Sequence, residues 1–161
     1  MNAQYWIDKL ELEPHPEGGY YKEVYRNPNT IQIMGGGGTR NLSTSIYFLL
    51  EGTDKSHFHQ LSSDELWYFH AGSSARVHVL HHGAYTQHLL GLDLEAGELP
   101  QLLLPARSVF AGEVSEPGSY VLMGCMVNPG FDFKDFRMVG AAELEEAYPD
   151  HKQVIRDFTL D

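Results

Sequence analysis

From Ser43 onward the chain is cut into short segments of β character, each closed by a turn signal, and this punctuation restricts the folds open to it. Residues 44–50, 57–60, 65–70, 76–81, 84–90, 101–104, 109–114 and 120–127 all have strand-like composition. Between them stand Glu51-Gly52, Ala71-Gly72, His82-Gly83, Ala96-Gly97 and Pro117-Gly118. Connections this short leave no room for the helical crossovers of a parallel βαβ sheet. The pattern predicts an all-β sandwich or barrel whose alternate side chains fill the interior.

The two ends read differently. Residues 4–10 predict a short helix with Asn2 as its N-cap and Trp6, Ile7 and Leu10 on one side. Pro14-His15-Pro16-Glu17-Gly18-Gly19 breaks it, because proline lacks a donor and glycine loosens the backbone. Residues 20–25 resume as a strand, with Tyr21 and Tyr25 on one face and Val24 on the other. The run Gly35 to Gly38 has no following Lys-Ser or Lys-Thr, so it reads as a hairpin connection rather than a phosphate loop. Residues 141–147 predict a terminal helix ended by Pro149. We read residues 1–161 as one domain, with a barrel core of about residues 20–138.

Charge narrows the partners. Eleven basic against twenty-two acidic residues give a formal net charge of −11. That field opposes nucleic acid and anionic membrane surfaces, so neither is expected as a partner. An anionic ligand needs a local cationic exception, for which Arg40, Arg76 and Arg107 are the candidates. Cys125 is the sole cysteine, and in an apolar strand it reads as a small buried hydrophobe. No disulfide within the chain is possible, and residues 1–13 lack a long apolar run. A cytoplasmic location is expected.

One constellation carries chemistry. Side chains two apart in a strand share a face, so His57 and His59 are expected to point together into the interior. Glu65 opens the next strand, and a tight connection through Ser62-Ser63-Asp64 brings it back beside them. Trp67 and Phe69 follow at period two and are expected to wall the same pocket. Tyr20 and Tyr47 are candidate pocket tyrosines, and Phe131 and Phe133 candidate ligand-binding aromatics. His78, mid-strand, is a further candidate for the pocket.

Gly52, His57, His59, Glu65 and Gly72 together resemble the first motif of the cupin superfamily. The stretch Ser56-His57-Phe58-His59-Gln60-Leu61-Ser62-Ser63-Asp64-Glu65-Leu66-Trp67 is similar to one branch of it, small single-domain cupins of uncharacterised function. His15-Pro16-Glu17-Gly18-Gly19-Tyr20-Tyr21, residues 44–50 and residues 124–133 resemble the same branch. The resemblance implies a double-stranded β-helix, or jelly-roll barrel, with short helices at both ends, and a homodimer. It also exposes a departure. Metal-holding cupins supply a third histidine after a Pro-x-Gly turn. Here that region is Leu104-Pro105-Ala106-Arg107-Ser108-Val109-Phe110, with Arg107 in place of the glycine and no histidine following.

Three functions follow as expectations. The leading one is a cupin that binds a small polar, sugar-like molecule, with isomerase or epimerase chemistry if it is an enzyme. His57 or His59 is then the base and Glu65 its orienter. The second is a metal-dependent oxygenase or isomerase in which His57, His59 and Glu65 hold Fe, Mn or Zn without a fourth ligand. The third is a non-catalytic binding or sensing module.

Overall fold

The computed structural model describes residues 1–160. In chain order it contains α1 (Ala3–Leu10), β1 (Glu13–Pro14), β2 (Tyr20–Arg26), β3 (Thr30–Ile33), β4 (Gly38–Asn41), β5 (Thr44–Glu51), β6 (Lys55–Leu61) and β7 (Asp64–Gly72). Then follow β8 (Ala75–His81), β9 (Ala84–Leu90), β10 (Gln101–Leu104), β11 (Val109–Val114), β12 (Tyr120–Asn128), β13 (Phe136–Met138), α2 (Ala141–Ala147) and α3 (Lys152–Asp157). Strands β1, β3, β4 and β13 and helix α3 lie outside the expected elements, since each is too short to show a period of its own.

Two antiparallel sheets face each other. One has the order β1-β2-β5-β12-β7-β10, the other β13-β6-β11-β8-β9. This is the sandwich or barrel expected from the turn punctuation, in the jelly-roll form that the cupin resemblance implies. Strands β3 and β4 form a separate hairpin across the glycine run. Among the described residues no helix is long and apolar enough to cross a membrane.

Three apolar clusters fix which face of each strand turns inward. The barrel interior holds Phe48, Leu50, Trp67, Val77, Phe110 and Met123, among others. A second cluster, with Phe58, Leu80, Ala111, Leu144, Ile155 and Phe158, packs α2 and α3 against the outside of the five-stranded sheet. A third packs α1 against the outside of the six-stranded sheet through Leu12, Leu49 and Leu122. Tyr20 and Tyr47 belong to this outer cluster. Their register explains it: Tyr20 pairs with Leu49 and Lys22 with Tyr47, whereas the inward set is Tyr21 with Phe48 and Glu23 with Ile46.

Two β-bulges then redirect side chains that strict alternation misassigns. In β2 the pairs Glu23–Ile46 and Tyr25–Ser45 leave one extra residue in β2. Beyond it the parity flips, so Tyr25 is exposed and Arg26 turns to the barrel mouth. The expectation that Tyr21 and Tyr25 share a face therefore fails. In β6 the pairs Phe110–His59 and Gly112–Ser56 advance three residues in β6 against two in β11. The extra residue breaks the alternation through His57, and Ser56 becomes an inward, fully buried position.

The bulged residues find other partners. Phe58 N–H donates to the Phe158 carbonyl at 2.8 Å. His57 N–H donates to the Glu17 carbonyl at 2.8 Å, and His57 Nδ1 lies 2.9 Å from the same oxygen. The segment 15–19 is thereby pinned to β6. It reaches that position because Gly18 and Gly19 adopt φ of 110° and 75°. A Cβ at Gly18 would meet the Lys55 carbonyl oxygen at 1.9 Å, and one at Gly19 the Leu49 carbonyl oxygen at 2.6 Å. The turn at 105–108 also survives without glycine. Arg107 takes a φ of 67°, held by its N–H to the Leu61 carbonyl at 2.8 Å and by Ser108 N–H to the Pro105 carbonyl at 3.0 Å.

These glycine contacts give a direct comparison. Gly52 also has positive φ, 58°, but a Cβ there meets nothing within 4 Å. Gly52→Ala should cost about 1 kcal/mol, the left-handed penalty alone. Gly18→Ala adds a backbone clash and should cost more than about 3 kcal/mol. Urea denaturation of the two variants checks this, and equal losses would contradict the loop's close approach to β6.

Candidate functional site

The barrel encloses a cavity of about 360 Å³ whose polar end is lined by His15, Glu17, His59 and Glu65. Its size suits a small organic molecule. The sides are Ile46, Leu61, Cys125 and Val127, and the mouth carries Tyr21, Arg26, Phe131, Phe133 and Phe136.

Glu17 sits at the centre, delivered by the loop that the two glycines allow. The residue is 6% exposed, so its charge needs partners. Ser56 Oγ donates to Oε1 at 3.1 Å, and His59 Nε2 lies 3.0 Å from Oε2. The other ring nitrogen of His59, Nδ1, lies 2.7 Å from the His57 carbonyl oxygen. A carbonyl only accepts, so Nδ1 carries a proton. Nε2 faces a carboxylate oxygen, so a second proton lies between His59 and Glu17. The pair is an imidazolium–carboxylate ion pair at neutral pH. Burial pushes the His59 pKa down, but the Glu17 carboxylate outweighs it and the net shift is upward. For Glu17 burial pushes up, and His59, together with His15 and Ser56, more than offsets it, so its pKa falls.

Glu65 lines the same cavity from β7. Its Oε1 accepts from Trp67 Nε1 at 2.8 Å. Among the described residues no cation forms an ion pair with it. Burial, followed by the Glu17 charge, pushes its pKa up to about 7. Two carboxylates in one cavity thus differ in protonation: Glu17 ionised and Glu65 poised to exchange a proton near neutrality. Cys125 sits beside Glu65, and burial holds its thiol well above the ordinary range, so it is neutral. His15 accepts from Glu17 N–H at Nδ1, 3.2 Å, and burial lowers its pKa, leaving it neutral. Its ring packs edge-on against Tyr21 at 4.5 Å.

The structure brings His59, Glu65, Phe131 and Phe133 to the cavity and takes other expected residues away from it. His57 lies at the bulge with its ring on the Glu17 carbonyl. Tyr20 and Tyr47 face α1 on the outside. Trp67 is fully buried behind Glu65, and Phe69, half-buried, packs against the barrel core away from the cavity. His78 points to the opposite side, onto Tyr85 and Phe158. None of the three expected cations enters: Arg40 forks onto Asp135 at 2.6 and 2.8 Å, Arg76 meets Glu113, and Arg107 sits at its outer turn. His15 and Glu17 line the cavity from a loop with no strand pattern to mark them, while Tyr21 and Arg26 reach it from β2, where the bulge decides which side chains turn inward. The available signal is the flanking Pro14, Pro16, Gly18 and Gly19, since a loop stiffened on one side and closely packed on the other holds its His and Glu in place.

The donor set for a divalent metal does not assemble. His57 is turned away, His59 has both ring nitrogens engaged, and Phe110 fills the interior beside it, with ring centroids 4.3 Å apart. Among the described residues no group of three or more His, Cys, Asp or Glu side chains is placed to hold a metal ion. The residues present do not fit Fe, Mn or Zn.

Comparison with known proteins agrees with the fold. Residues 4–139 match the family described as Cupin superfamily (DUF985). The Saccharomyces cerevisiae protein "Uncharacterized protein YML079W" is 32% identical over 159 residues, covering 89% of this chain and 79% of its own length. A hypothetical protein from Leishmania major superposes with a TM-score of 0.93 at 37% identity, covering 100% of both chains. Protein SO0799 from Shewanella oneidensis gives a TM-score of 0.88 at 43% identity, covering 99% of this chain and 98% of its own.

The position of Glu65 makes stability depend on pH. The folded chain holds its proton up to about pH 7, whereas the unfolded chain releases it near the ordinary value of 4.5. Between these values the folded state binds more protons, so this group's contribution to stability falls as pH rises and is level above. Glu65→Gln removes that term. Urea denaturation should find the variant gaining a few kcal/mol on the wild type between about pH 5 and about pH 8. Parallel pH dependence in the two proteins would contradict the placement of Glu65.

Proposed function

We propose that this chain, which belongs to the DUF985 family of the cupin superfamily, is an isomerase- or epimerase-type enzyme that moves a proton on a small polar, sugar-like molecule held in the barrel. The observation that carries this reading is Glu65: a buried carboxyl without an ion-pair partner among the described residues, in a cavity that also holds an ionised Glu17–His59 pair. A group that titrates near working pH transfers protons well in both directions.

In this reading the roles differ from those the sequence suggests. Glu65, ionised, takes a proton from a carbon next to a carbonyl of the ligand and returns it, on the same face, to that carbon or to the neighbouring one. Trp67 Nε1 holds the carboxyl in place. The Glu17–His59 pair contributes its charge distribution and the second proton, which can shift toward the ligand oxygen that gains electron density. Its negative member keeps Glu65 basic. Leu61, Ile46 and Val127 exclude water around the reacting atoms.

Deuterium exchange tests this whatever the product. A panel of aldoses and ketoses is incubated in D2O with the protein and followed by proton NMR. The wild type should exchange a C–H proton on at least one member. Glu65→Gln should slow that exchange by about a hundredfold or more, and His59→Gln and Glu17→Gln should also impair it. Exchange that survives Glu65→Gln unchanged would contradict the assignment.

A further inference from the structure

The charges around the cavity bear on what enters it. Five carboxyl side chains line it: Glu13, Glu17, Glu23, Glu65 and Asp132. Against them stand Arg26, His59 and the neutral His15. Neither cation is free. Arg26 donates to both oxygens of Glu23, from Nε at 2.9 Å and Nη2 at 2.7 Å. Its Nη1 donates to Asn41 Oδ1 at 2.9 Å and to the Phe131 carbonyl at 3.2 Å. His59 is spent on Glu17 and a backbone carbonyl. A phosphate or carboxylate entering here loses its hydration and meets no unpaired positive group among the described residues that line the cavity, which is costly; Lys134, which acts on Asp132, lies outside that lining.

The aromatic mouth favours the opposite sign. Phe131, Phe133 and Phe136 stand edge-to-face at 4.9 to 6.1 Å, next to Tyr21. Ring faces carry negative quadrupole density that attracts a cation. The net charge of −11 raises the local concentration of cations around the whole molecule.

We propose that the ligand of this cavity is a small amine-bearing molecule of the amino-sugar class, bound as its ammonium cation between the carboxylates and the aromatic mouth. This inference rests on the cavity being the ligand site of the proposed function, and it adds the charge of what binds there. It separates the chain from proteins that take sugar nucleotides, because a diphosphate has no counterpart among the lining groups. The charges of Glu17 and Glu23 are balanced by His59 and Arg26, so Glu13 and Asp132 set the preference at the mouth and Glu65 extends it inward.

Ligand-observed NMR titration with three probes of matched shape tests it: glucosamine, glucose and glucose 6-phosphate, at neutral pH and low salt. Glucosamine should bind about tenfold or more tighter than glucose, and glucose 6-phosphate more weakly than glucose. Added salt should narrow the gap. Glu13→Gln combined with Asp132→Asn should narrow it further, mainly by weakening glucosamine. Glucose 6-phosphate binding as tightly as glucosamine, or none of the three binding, would overturn the inference. The two readings fail separately. Affinities in the expected order with no deuterium exchange would remove the proton-transfer chemistry and leave the charge selection. Exchange that prefers an anionic substrate would do the reverse.

Discussion

Inside this barrel a carboxylate and an imidazole share one proton, and much of the surrounding structure is arranged around that fact. Glu17 and His59 are 6% and 2% exposed, and neither charge is tolerable there alone. Every strong hydrogen-bonding atom of the pair has a partner: Ser56 and His59 for the two oxygens, the His57 carbonyl and Glu17 for the two ring nitrogens. Such a pair contributes little net stability against an apolar replacement, but removing one member strands the other, typically at about 3–5 kcal/mol. It persists here at the polar end of a cavity.

The pair depends in turn on backbone irregularities. The bulge in β6 turns Ser56 inward and frees His57 to grip the Glu17 carbonyl. Gly18 and Gly19 let segment 15–19 lie against β6 and β5 closer than any side chain permits. The bulge in β2 brings Arg26 to the mouth, where Glu23 and the Phe131 carbonyl hold it. These two bulges sit where the cavity is shaped; a third, in β7 between Phe69 and Ala71 opposite Met123 and Leu122, lies away from it, and β8 pairs with β11 and β9 without interruption.

That division explains what is legible in the residues alone. The strands from residue 44 onward are legible because alternation and glycine turns are local signals. Glu65 is legible because β7 keeps its period from Glu65 through Trp67 to Phe69. The place of His57 is not, because a bulge is a property of two paired strands, and the sequence of β6 does not announce it. Tyr20 and Tyr47 mislead because β2 and β5 bury both faces, one against α1 and one in the barrel. Glu17 is hidden because it acts from a loop, where no periodicity marks direction. Phe110, by contrast, stands in the region where metal-holding cupins supply a third histidine, and its ring fills that space against His59.

In the proposed mechanism His59 is charged because Glu17 is buried beside it, and this pair leaves Glu65 to carry the mobile proton. Nitrogen-15 NMR of the His59 ring reads the first part directly. Both ring nitrogens should show the protonated shift at neutral pH, with a midpoint above the ordinary 6.5, and in Glu17→Gln that midpoint should fall below the ordinary value as burial takes over. A neutral His59 ring at pH 7 in the wild type, or a midpoint that Glu17→Gln leaves in place, would contradict it.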